Sequence, residues 1–160
     1  MSAPIDKWPD LSGRITGTTH ILPVRVYYED TDFSGIVYHA NYLRFAERGR
    51  SDFLRLTGIS HTDLFDGPQK LAFAIHRMEI DFVRPARIDD LLEVRTRYVK
   101  ASGARLEAEQ SIWLMSGPGE PAEIWRAKVM AACIDGEGRP RRLPLAAREA
   151  LVPYVTEATL

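Results

Sequence analysis

A chain of 160 residues with 45% hydrophobic and 27% charged side chains suits one globular domain with a real core and leaves little room for a second. Its 21 basic and 22 acidic side chains nearly cancel, which leaves no electrostatic footprint for nucleic acid or an anionic membrane surface. The single Cys133 cannot form an internal disulfide and sits in an apolar run, as a buried thiol in a reducing compartment does.

Residues 1–19 are rich in Pro, Gly, Ser and Thr and show no period, so a poorly ordered N-terminal extension is expected before a single domain over 20–160. The extension has no basic segment followed by an apolar stretch, and no run of about 18 apolar residues occurs anywhere, so a cytoplasmic protein without a transmembrane segment is expected. "ILPVRVYYE" (21–29) alternates, with Leu22, Val24, Val26 and Tyr28 on one side and Arg25, Tyr27 and Glu29 on the other, which predicts a half-buried strand. From Tyr42 the spacing changes. Tyr42, Ala46, Gly49, Phe53 and Leu56 step by four and three along one stripe, which predicts a long helix that Gly58 ends.

"SHTDLFDGP" (60–68) reads as a connector with room for one helical turn. Alternation then returns: Met78, Ile80 and Phe82 share one face, as do Leu92, Val94, Thr96 and Tyr98, then Leu106, Ala108, Ile112 and Leu114, and last Trp125, Ala127, Val129, Ala131 and Cys133. "RPARIDD", "KASGAR", "SGPGEP" and "DGEGRP" supply the turns between and after these strands. "LAAREALVPY" (145–154) suits a short terminal helix. One amphipathic helix and one one-sided sheet can bury their apolar faces only against each other, so the class is α+β with the helix on the sheet.

His20, His39, His61 and His76 show no paired ligand spacing and there is one cysteine, so no metal site is expected. No phosphate-cradling glycine motif occurs. The chemistry-bearing residues instead crowd into "YYEDTDFSGIVYHANYLRFAERGR" (27–50), where Glu29, Asp30 and Asp32 precede a glycine, a histidine and the long helix.

The stretch "VRVYYEDTDFSGIVYHANYLRFAERGRSDFL" (24–54), with "RPARIDDLLEVRT" (84–96), resembles the hotdog-fold thioesterases of the 4-hydroxybenzoyl-CoA thioesterase type, and within them the YbgC-like, Tol-Pal-associated acyl-CoA thioesterases. The likeness runs over about residues 22–145. It implies a curved antiparallel sheet of about five strands wrapped around one long helix, and a homodimer or homotetramer with active sites at the subunit boundary. It implies an acyl-CoA substrate, no cofactor beyond the coenzyme A of that substrate, and leaves acyl carrier protein open as a second partner. By motif position Asp32 is the catalytic carboxylate and the His39 N–H polarises the carbonyl. The His39 ring and Tyr28 take supporting roles, and Gly35, Ile36, Val37 and Tyr38 form the substrate-binding loop.

The physical reading agrees. Thioester hydrolysis needs an oxygen nucleophile or base near the carbonyl and donors aimed at the developing oxyanion. A loop before a helix offers both, because the first helical N–H groups have no intrahelical partner and the helix dipole favours negative charge there. Asp32 either attacks the carbonyl or deprotonates water, and both routes stay open. Glu29 and Asp30 are expected as solvated or hydrogen-bonded loop acids whose charge raises the pKa of Asp32. Glu47 is either a second carboxylate or a surface partner of Arg50. Arg84, Arg87 and Lys100 are cations within the chemistry of coenzyme A phosphates, although solvated strand ends explain them as well. Two other classes stay in view: a hotdog-fold dehydratase, which would want a His paired with a helix acid, and a non-catalytic adaptor for acyl carrier protein or lipid-synthesis partners.

Overall fold

The computed structural model of the chain describes residues 8–159, so residues 1–7 of the expected extension lie outside the described residues. Order begins earlier than the sequence suggests. Arg14–Thr16 form a strand, β1, that pairs as a tight hairpin with β2 (Thr19–Arg25). The long helix α1 spans His39–Leu56 and is followed by a short helix α2 (His61–Asp66) whose N-cap is Ser60. Strands β3 (Ala72–Phe82), β4 (Leu91–Ser102), β5 (Arg105–Leu114) and β6 (Ala122–Ile134) follow, then helix α3 (Leu145–Leu151) and strand β7 (Glu157–Thr159).

The five expected strands are β2 to β6, in one sheet ordered β1-β2-β4-β5-β6-β3, and β7 adds parallel to the end of β4. Register shifts between Ile75 and Arg77, between Tyr98 and Lys100, and at Ile112–Trp113 interrupt the ladders. Such irregularities bend strands and increase twist, which suits a sheet curved around a helix.

Helix α1 buries Tyr42, Phe45, Ala46, Gly49 and Phe53 against that sheet. Burying a Phe side chain is worth roughly 1.5–3 kcal/mol, and Phe45 and Phe53 are both almost fully enclosed. Leu56, expected on the stripe, is exposed; Phe45 and Ile59 carry the packing instead. A Cβ on Gly49 would stand 2.8 Å from Thr96 Oγ1 and 2.9 Å from Val94 Cγ1, so the missing side chain is what lets α1 approach β4. Below the helix, Gln110 Nε2 donates to Ala46 O (2.8 Å) and Thr96 Oγ1 (2.9 Å), while Gln110 Oε1 accepts from Arg50 (2.8 Å). Arg50 thus turns inward, and Glu47 accepts from the Ser51 hydroxyl rather than pairing with it.

The helix ends as Gly58 predicts: Gly58 takes φ +93°, and the Ile59 N–H bonds back to Leu54 O (2.9 Å). Cys133 is buried, and that burial pushes its thiol pKa up to about 11. At the outer edge β3 is far more exposed than its alternation implies, with Met78 and Ile80 half-buried and Phe82 open. No helix of the described residues is long and apolar enough to cross a membrane.

Candidate active site

Strand β2 stops at Arg25, where the sequence would carry it on to Glu29. The chain turns instead through one 3-10 turn, Tyr28–Asp30. Tyr28 is therefore 83% exposed rather than on the buried face, and its carbonyl takes the N–H and hydroxyl of Thr31.

The loop that follows is a closed unit. Thr31 pairs with Val37 across its base, Asp32 N–H donates to Ile36 O (2.9 Å), and Gly35 N–H donates to Asp32 O (3.0 Å). Gly35 sits at φ +80°, a conformation a Cβ disfavours, although nothing crowds it. The buried Val37 donates its N–H to Ala86 O (2.9 Å), Ile36 bridges to Arg87, and the Tyr42 hydroxyl accepts from Ala86 N–H (3.0 Å). Segment 84–90 therefore braces the loop from one side and α1 from the other.

Within this unit the three acids separate. Asp32 is exposed at the turn, and its Oδ1 accepts both the Ser34 N–H (2.8 Å) and the Ser34 hydroxyl (2.5 Å). Those two donors, with a smaller contribution from the charge of His39, hold its carboxyl below the usual carboxylate range. The expected upward push from neighbouring acids is thus reversed. Asp30 is 6% exposed and accepts from Tyr27 N–H (2.8 Å) and Asn41 Nδ2 (2.9 Å). Glu29 is solvated.

His39 is the first residue of α1, and its ring lies 4.6 Å from that of Tyr38 and 6.4 Å, edge-on, from Phe82. Tyr38 N–H is taken by Asp30 O and Asn41 N–H by Tyr38 O, but no hydrogen bond of the described residues takes the N–H of His39 or Ala40. The structure therefore brings Asp32, Gly35, Ile36, Val37, Tyr38 and His39 into one segment, whereas no ring contact of the described residues includes Tyr28. Sequence reasoning missed Ser34 and Asn41. An Asp followed two residues later by Ser is a turn signal with a mechanism, and it was there to be read.

Asp32 lines neither of two clefts of about 620 and 500 Å³: the first crosses the outer face of the sheet, and the second, beside Leu11 and Arg48, is lined by Tyr27, Glu29 and Asp30. Exposed Phe33, Tyr38, Phe82 and Val83 surround the loop and the neighbouring end of β3. Among the described residues no group of three His, Cys, Asp or Glu side chains is placed to hold a metal.

A curved antiparallel sheet wrapped on one long helix, with an acidic loop leading into the helix start, defines the hotdog class. The Thioesterase superfamily matches residues 34–118, more than half of the chain, and the chain belongs to that family. It is 40% identical over 123 residues to an acyl-CoA thioesterase YbgC of Haemophilus influenzae, covering 76% of this chain and 86% of that one. It is 39% identical to the acyl-CoA thioester hydrolase YbgC of Escherichia coli, covering 76% and 87%. Among solved structures, a probable thioesterase from Bartonella henselae superposes with a TM-score of 0.73 at 50% identity, covering 79% of this chain and 99% of that chain.

Proposed function

We propose that this chain hydrolyses acyl-CoA thioesters, with Asp32 Oδ2 as the reacting oxygen and the main-chain N–H of His39 as the donor to the thioester carbonyl. The reaction class rests on family membership and on the 39–40% identical thioesterases. The observation that carries the residue roles is the unshared pair of groups at one loop: Asp32 Oδ2, outside every hydrogen bond of the described residues, and a helix-start N–H equally unused.

The chemistry follows from those atoms. Ser34 keeps Asp32 ionised and occupies Oδ1, so Oδ2 either adds to the carbonyl carbon or takes a proton from the water that does. In both routes the carbonyl π pair moves onto oxygen, where the His39 N–H and the positive end of α1 stabilise it. The collapse of that oxyanion expels the coenzyme A thiolate; in the general-base route the proton held by Asp32 passes to that thiolate, and in the covalent route water then cleaves the mixed anhydride to the free acid and the Asp32 carboxylate. No cofactor takes part in either sequence.

Asp32 lies in the open in one chain, and His39 at the helix start faces Phe82, which with Val83 is exposed at the end of β3, an edge strand that pairs only with β6 among the described residues. A second copy paired along that edge would cover both the backbone edge and the apolar rim. We therefore read the working unit as a homodimer, with a tetramer as the larger alternative. A reducing compartment such as the cytoplasm suits a chain whose single cysteine, Cys133, is buried outside any disulfide. Steady-state release of free thiol from a panel of short, long and aromatic acyl-CoAs, and from acylated acyl carrier protein, tests this reading. Turnover of at least one acyl-CoA is expected. Binding without thiol release across the panel would favour an adaptor instead.

A further inference from the structure

Asp30 is only 6% exposed, and both its side chain and its main chain are hydrogen-bonded. Its Oδ2 accepts from Tyr27 N–H at 2.8 Å and its Oδ1 from Asn41 Nδ2 at 2.9 Å. Its main chain accepts from Tyr38 N–H at 2.9 Å and donates to Tyr27 O at 3.0 Å. Asn41 is itself only 5% exposed, and its own N–H donates to Tyr38 O at 2.8 Å. Asp30 therefore holds Tyr38 through its main chain and Asn41 through its side chain, the residues on either side of His39 and Ala40. Asp32 follows Asp30 by two residues on a loop whose base is closed by the Thr31–Val37 pair.

We infer that Asp30 and Asn41 are a positioning pair that sets the Asp32 carboxylate in register with the His39 N–H, an inference that rests on the roles proposed above for Asp32 and His39. The pair touches no reacting atom. It joins the end of the Tyr28–Asp30 turn to the first turn of α1 through one buried side-chain bond, and among the described residues no other side-chain hydrogen bond links the acidic loop to that helix. Asp30 caps its own 3-10 turn through Tyr27 N–H, but its side-chain bond to α1 goes to the Asn41 side chain and to none of the N–H groups a cap of that helix would use. A shift of about 1 Å between a reacting oxygen and its oxyanion donor can cost on the order of 100-fold in rate, so a bond of this kind bears on turnover more than on substrate affinity.

The identities of the two residues permit a swap. Asn41→Asp sets two carboxyl groups against each other across the 2.9 Å contact. Adding Asp30→Asn to it restores one donor and one acceptor, leaves an amide oxygen for the Tyr27 N–H, and moves the negative charge into the first turn of α1, where the dipole favours it. The experiment measures kcat and KM for acyl-CoA hydrolysis, well below each unfolding midpoint, for the parent, Asn41→Asp, Asp30→Asn/Asn41→Asp and Asp32→Asn. We expect Asn41→Asp to lose about 30-fold in kcat with KM changed by less than about threefold, and the double variant to return to within about threefold of the parent. A pair that merely supports the fold would lower the unfolding midpoint and leave kcat per folded site unchanged. Should Asn41→Asp fail to fold, Asn41→Ser withdraws the long amide donor without adding charge, and a fall of about tenfold is expected. If Asn41→Asp keeps the parent kcat, or the double variant recovers nothing, while Asp32→Asn is inactive, the positioning role is wrong and the site stands. If Asp32→Asn turns over like the parent, the site itself is misassigned, and the pair has nothing to position.

Discussion

Ser34 donates twice to the same oxygen of Asp32, through its N–H at 2.8 Å and its hydroxyl at 2.5 Å, whereas Oδ2 takes no hydrogen bond among the described residues. Both bonds favour the ionised carboxyl and hold its pKa below the usual range. Ser34→Ala removes the hydroxyl, the larger of the two causes, so the Asp32 pKa rises toward the ordinary value. The acid limb of the kcat/KM profile then moves to higher pH, while the plateau above it changes little. A carboxyl-carbon NMR titration of Asp32 in parent and variant reads the shift directly, and a downward or absent shift contradicts the assignment.

His20 is fully buried, and its Nε2 lies 2.6 Å from Ser12 O; a carbonyl only accepts, so Nε2 carries the hydrogen, and Nδ1 has no hydrogen-bond partner among the described residues. Burial lowers the His20 pKa, against smaller opposing effects from the Ser12 carbonyl and the Asp52 charge. The unfolded chain therefore binds the proton first as pH falls through ~6.5, and stability drops below that point by at most about 1.4 kcal/mol per pH unit from this residue. Urea unfolding at pH 7.5 and 5.5 should show a smaller loss for His20→Gln, which keeps the donor to Ser12 but does not titrate.

Gly49→Ala is expected to destabilise the chain despite the better helix propensity of alanine. The propensity gain is about 1 kcal/mol, whereas the added methyl meets Thr96 and Val94 at under 3 Å in a packed core, and such overpacking costs about 1–3 kcal/mol. Thermal unfolding should show a midpoint lower by a few degrees. A raised midpoint would mean that α1 can lift from β4 without cost.

Tyr42→Phe removes the hydroxyl that accepts the buried Ala86 N–H. An unpaired buried amide costs about 1–3 kcal/mol, and the loss falls on the segment that also receives Val37 N–H from the Asp32 loop. Hydrogen exchange at Ala86 and Val37 should quicken together. Faster exchange confined to Ala86 would show that the two contacts are independent.

Much of the frame was legible because burial imposes a period. The 3.6-residue stripe placed α1 and the two-residue alternation placed β2 and β3 to β6, whereas β1 and β7 are three-residue strands in polar segments with no period to read. Tyr28 was misread because alternation continues past Arg25 although the chain does not: the Asp30 carboxyl captures Tyr27 N–H and turns it. Phe82 was misread because β3 is an edge strand with little above it, which alternation cannot report. Asp32 was reached through a motif. Composition alone could not have separated it from Asp30, since the difference lies in which acid finds Asn41 and which finds Ser34.

The proposed role of Asp32 as the reacting carboxylate rests on whether turnover survives its loss. The direct measurement is kcat for thiol release by purified Asp32→Asn, set beside the parent at equal folded concentration on the best acyl-CoA of the panel. An isosteric amide neither adds to the carbonyl nor takes a proton, so a fall of about 100-fold or more is expected, with the unfolding midpoint little changed because the side chain is exposed. Turnover by Asp32→Asn within a few-fold of the parent would contradict the account.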